Sequence, residues 1–140
     1  MPILLAEDSP DDALLLRLAL KKAALKNLLF VVHDGQEAVE YLSGKPPYTN
    51  RTTYPLPRLL MLDLKMPRMN GFEVLGWLEG HPEFNELPVI VLSGSDLKED
   101  EQKSKELGAD DYRIKSADLD HMAKMLEELH SRWLKRKANG

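Results

Sequence analysis

Five short apolar runs, each separated from the next by a longer stretch with helical spacing, constrain this chain more than any other feature. They cover residues 3–6, 28–32, 59–62, 89–92 and 112–114. Short, mostly unbroken apolar runs suit strands buried on both faces, as in a parallel sheet. Between them, Leu14, Leu15, Leu18 and Ala19 recur at helical intervals, as do Phe72, Leu75 and Trp77-Leu78. Ser9-Pro10-Asp11-Asp12 reads as a helix start, with Ser9 as N-cap, Pro10 in the first turn and Asp12 facing back. Strands alternating with helices imply a sheet covered on both faces, and right-handed crossovers leave a doubly wound α/β fold. With 140 residues the expectation is one domain over 1–140. Residues 43–57, with Pro46, Pro47, Pro55, Pro57, Tyr48 and Tyr54, interrupt the alternation and read as a long surface loop inside that domain.

Composition removes several function classes. Lys and Arg number 19 against 23 Asp and Glu, and this mild acidity argues against a nucleic-acid surface. The absence of cysteine excludes a disulfide scaffold, a thiolate zinc site and a cysteine nucleophile. No run approaches the roughly 18 apolar residues of a membrane span, and no basic leader precedes Pro2-Ile3-Leu4-Leu5, so a cytoplasmic protein is expected. His33, His81, His121 and His130 share no metal-ligand spacing. Lys135-Arg136-Lys137 reads as the usual cationic complement of a helix C-terminus.

In an open parallel sheet, ligands sit at the carboxyl ends of the strands, so the residues that end each run matter most. The first run ends in Glu7-Asp8, the third in Asp63, the fourth in Ser93 and the fifth in Lys115. One such Asp is an ordinary turn residue. Three carboxylates on one edge repel each other unless a proton or cation intervenes. Hard oxygen ligands suit Mg2+, which takes one or two carboxylates plus phosphate oxygens. With Lys115 as a second positive charge, the edge has what phosphoryl transfer to a carboxylate requires. Asp63, alone at the end of a central strand, is the nucleophile candidate, and Glu7 and Asp8 are metal-ligand candidates.

Glu7-Asp8, Asp63-Leu64-Lys65-Met66-Pro67-Arg68-Met69-Asn70-Gly71, Ser93-Gly94 and Lys115 together resemble the receiver domain of two-component response regulators, over essentially the whole chain. The resemblance implies strand order 2-1-3-4-5 and phosphoryl transfer to Asp63 from a histidine kinase or phosphotransfer protein. It also implies Mg2+ held by Asp8, Asp63 and the Lys65 backbone carbonyl, with Glu7 acting through water. Ser93 would be the switch hydroxyl, Lys115 the phosphate-binding lysine and Tyr112 the switch aromatic, turning inward on phosphorylation. The loop before the third strand and the Trp133-Leu134 ending are similar to stand-alone receivers that partner bacterial phytochromes. One residue departs from the pattern: Ser116 stands where the family usually has a proline in a cis peptide. A cis bond before a non-proline costs about 2.5–4 kcal/mol, so none is carried over.

Rival readings fit less well. Aspartyl phosphatases resemble Asp-x-Asp-x-Thr, whereas Lys65 stands two residues after Asp63. An FMN binder of the same topology would need a neutral, glycine-rich phosphate loop in place of Glu7-Asp8-Ser9-Pro10-Asp11-Asp12. A docking module independent of phosphorylation would lack one of the acidic or lysine positions, and none is missing. The expectation is therefore a signalling protein without turnover, acting on a downstream protein target through protein contacts. A last helix over about 119–137 would be about 28 Å long at 1.5 Å per residue, and would overhang strands of ~17–20 Å. An apolar stripe of Leu119, Met122, Leu126, Leu129 and Trp133 would then leave Trp133-Leu134 exposed and build a homodimer with the Tyr112 strand.

Overall fold

The computed structural model describes residues 1–134. Five parallel strands, β1 (Pro2–Ala6), β2 (Leu28–Val32), β3 (Leu59–Leu62), β4 (Val89–Ser93) and β5 (Asp111–Ile114), form one sheet in the order β2-β1-β3-β4-β5. The helices are α1 (Pro10–Lys22), α2 (Gly35–Ser43), α3 (Gly71–Glu79), α4 (Lys98–Glu106) and α5 (Leu119–Leu129). Alternate strand residues feed two cores, as a strand's two-residue period requires. Ile3, Leu5, Leu59, Met61, Ile90 and Leu92 meet α1 and α5, whereas Leu4, Ala6, Leu60, Leu62, Val89 and Val91 meet α2 and α3. The order and the doubly wound arrangement agree with the sequence reading.

Three details differ from it. On α1 the buried residues are Ala13, Leu16, Ala19 and Leu20, while Leu14 and Leu18 are 54% and 45% exposed. The run Leu14-Leu15-Leu16-Arg17-Leu18-Ala19-Leu20 is apolar on nearly every side, so spacing cannot choose the buried face; contact with α5 and the sheet does. Ser9 does cap α1, its hydroxyl accepting from the Asp12 N–H at 3.3 Å. Asp12 does not face back, because the Ser9 N–H already donates to Glu7 Oε2 at 3.2 Å and the Asp12 carboxylate reaches Lys115.

The third correction concerns the last helix. It is α-helical to Leu129 and continues as a π-helical turn over His130–Leu134; residues 135–137 of the expected span lie outside the described residues. Residues five apart lie about 140° apart on an α-helix, whereas a π turn, bonded i→i+5, brings them towards one face. Leu134 accordingly joins the core of Leu129 at 1% exposure, and Trp133 packs against the same cluster. The exposed Trp133-Leu134 end on which a homodimer was expected is not there. No helix among the described residues is long and apolar enough to cross a membrane.

Candidate functional site

Parallel pairing puts the carboxyl ends of β1, β3, β4 and β5 along one edge, and the loops leaving them carry the polar residues. The Glu7 N–H donates to the Val32 carbonyl at 2.9 Å and the Asp63 N–H to the Ala6 carbonyl at 3.1 Å, so both acids begin where the ladder ends. The Lys115 N–H donates to the Ser93 carbonyl at 2.7 Å, which joins the ends of β4 and β5. The Lys115–Ser116 peptide is trans; among the described residues the cis bond is Pro46–Pro47.

The Lys115 ammonium donates to three carboxylates: Glu7 Oε1 at 2.8 Å, Asp12 Oδ2 at 2.9 Å and Asp63 Oδ2 at 3.1 Å. Glu7 and Asp63 are buried, and Asp12 is partly exposed. Burial pushes the Glu7 carboxyl up to about 7; the Lys115 hydrogen bond opposes this and the Asp63 charge adds to it. Burial alone would lower Lys115, but its hydrogen bonds to Glu7 and Asp12 and the charge of Asp63 hold it above the ordinary lysine value. Asp12 was not among the site residues read from the sequence. Its place four residues after Asp8, in the first turn of α1, is the signal that would have found it.

Glu7, Asp8 and Asp63 each bring one carboxylate oxygen within 4.8 Å of the others, with Asp8 on the exposed side. Among the described residues this is the one such cluster of acids and histidines, and none of the four histidines belongs to it. With Asp12, four carboxylates outnumber the one ammonium, and a divalent cation would offset most of the excess negative charge. An all-oxygen donor set fits Mg2+ or Mn2+.

Around this cluster, the Lys65 N–H donates to Asp63 Oδ1 at 3.4 Å, which turns the chain back past the carboxylate. Ser93 is buried, its hydroxyl accepting from the Ser95 N–H at 3.1 Å. Tyr112 is already inward and buried, its hydroxyl donating to the Ser95 carbonyl at 2.7 Å. The Ser95 carbonyl offers the Tyr112 hydroxyl a partner in this inward position.

Comparison with known proteins gives the same picture. Residues 3–127 match the response regulator receiver domain family. The response regulator Rcp1 of Synechocystis sp. is 36% identical over 132 residues, covering 94% of this chain and 88% of that one. A crystal structure of the Mn(2+)-bound form of response regulator Rcp1 superposes with a TM-score of 0.81 at 34% identity, over 95% of this chain and 94% of that one. The phosphorylated cyanobacterial phytochrome response regulator RcpA gives 0.84 at 33% identity, over 95% and 93%. Response regulator RPA3017 in red light signaling of R. palustris gives 0.89 at 29% identity, over 94% and 92%.

Proposed function

The chain belongs to the response regulator receiver domain family, and on that premise we propose that it is a receiver phosphorylated on Asp63. The donor is the phosphohistidine of a histidine kinase or phosphotransfer protein. An Asp63 carboxylate oxygen attacks phosphorus, the P–O bond forms as the P–N bond breaks, and the imidazole leaves with its electron pair and takes a proton. Asp8, Asp63 and the Lys65 carbonyl would hold Mg2+, with Glu7 acting through water. Bound there, the cation would neutralise charge on the phosphoryl oxygens. Lys115 pairs with the same oxygens, and Ser93 supplies a hydroxyl once the group is in place.

Phosphorylation adds roughly -1.5 to -2 charge at pH 7 beside Lys115. The new charge competes with Glu7 and Asp12 for the ammonium and draws Ser93 towards the phosphoryl group. The β4–α4 connection, held by the Tyr112–Ser95 hydrogen bond, then relays the change to a downstream protein partner. Similarity to RcpA and RPA3017 favours a phytochrome-type kinase as the donor.

The observation that carries this reading is one ammonium shared by Glu7, Asp12 and Asp63 beside a three-acid cluster at the strand ends. The test is intact mass after incubation with a small phosphodonor and Mg2+. Wild type should gain one phosphoryl group and Asp63→Asn none. Equal labelling of the variant would move the acceptor elsewhere; an unlabelled wild type would favour a docking module independent of phosphorylation.

A further inference from the structure

The loop that leaves Asp63 is fastened at its far end to the N-terminus of α2. Arg68 has φ +64°, a left-handed conformation uncommon for a residue with a side chain. Its guanidinium grips Asp34 at two points, Nε to Oδ2 at 2.9 Å and Nη2 to Oδ1 at 3.3 Å. Asp34 is buried and is the N-cap of α2, accepting from the Glu37 N–H at 2.8 Å. The next residue, Gly35, donates its N–H to the Met69 carbonyl at 2.9 Å, so close that a Cβ there would collide with that carbonyl. One side-chain link and one backbone link thus staple residues 68 and 69 to α2. Gly71 closes the loop on itself, its N–H donating to the Leu64 carbonyl at 3.0 Å.

We propose that Arg68 and Asp34 are positioning residues that hold the loop after Asp63, and with it the Lys65 carbonyl, in the arrangement that binds the divalent cation. Without the Arg68–Asp34 link, the Gly35–Met69 hydrogen bond alone would hold the loop to α2, and the loop would spread over several conformations. The apparent affinity for the cation then falls by the fraction of chains still competent to bind. Arg68 needs no contact with the cation to act in this way. The inference rests on the metal-ligand assignment made under Proposed function, and the experiment separates the two.

Calorimetric Mg2+ titration and Mg2+-dependent phosphorylation of the full chain test it, with thermal melts alongside. Arg68→Gly removes the ion pair and relieves the left-handed strain, so the fold is spared. It should bind Mg2+ about tenfold more weakly, the loss expected if about one chain in ten keeps the loop in its binding arrangement. Its phosphorylation rate should return to near the wild-type value at saturating Mg2+, and Arg68→Lys should recover part of the affinity. Unchanged Mg2+ affinity in Arg68→Gly, even with a lower melting temperature, overturns the inference, as does a rate that saturating Mg2+ does not restore. A wild type that binds no Mg2+ overturns the ligand assignment and this inference with it.

Discussion

Residues 44–58 lead into β3 and residues 63–70 lead out of it, and the two connections are anchored by different chemistry. The incoming one folds back over the C-terminal end of α2. Tyr41 packs with Tyr48 and Tyr54 at ring separations of 5.0 and 6.0 Å and donates its hydroxyl to the Pro55 carbonyl at 2.9 Å. Arg51 donates to the Tyr41 and Leu42 carbonyls in the last turn of α2 at 2.9 Å each, and to the Tyr54 carbonyl at 3.2 Å. Arg51 thus meets neutral carbonyls, and the Tyr48 hydroxyl donates to Glu37 Oε2 at 3.4 Å. The outgoing connection starts at a carboxylate crowded by others and passes through a left-handed arginine. A loop can be long and purely structural, whereas a short one with surplus charge and backbone strain marks the chemistry.

The sharpest way to break this contrast is Tyr41→Ala. Loss of a fully buried aromatic should cost about 3–5 kcal/mol in a urea melt. The folded fraction should bind Mg2+ as the wild type does; a large fall in affinity would mean that the two connections are coupled. Arg51→Ala should be milder, about 1.5–3 kcal/mol for hydrogen bonds to a charged group, with the lower end favoured by its partial exposure. Phosphorylation of Asp63 should be unaffected.

Asp8→Asn should do the opposite. Mg2+ affinity should fall strongly, and by more than in Glu7→Gln, because Glu7 is already engaged by Lys115. Stability should hold or rise, since one of three crowded like charges is gone. The reverse order of the two variants in a metal titration would exchange the roles of the two acids.

The smallest effect is on acid stability. Burial would raise the Asp34 carboxyl, but hydrogen bonds from Arg68 and the Glu37 N–H outweigh it and hold the group below the usual carboxylate range. An acid lowered on folding stabilises above its unfolded value, near 3.9, and that contribution is lost as pH falls through the folded value. Melting temperatures should therefore fall more steeply below about pH 4 in wild type than in Asp34→Asn. Parallel curves would mean that the ion pair contributes nothing to folding.

What the sequence determined by itself is whatever depends on near neighbours and chain direction. Apolar runs and their intervening helices specified a doubly wound parallel sheet. In such a sheet all carboxyl ends share an edge, so Glu7, Asp8, Asp63, Ser93 and Lys115 were legible as one group before any coordinate. The Ser9 cap was legible for the same local reason. Tertiary structure alone decided the rest. Asp12 chooses Lys115, 103 residues away, over its own helix cap, and Arg68 chooses Asp34, 34 residues away. Leu16 is buried while Leu14 and Leu18 are exposed, and a single π turn returns Leu134 to the core. Local propensity ranks none of these alternatives. They are settled by competition among desolvated partners brought together only when the elements pack, and a charge or a leucine goes to whichever partner the finished geometry puts within reach.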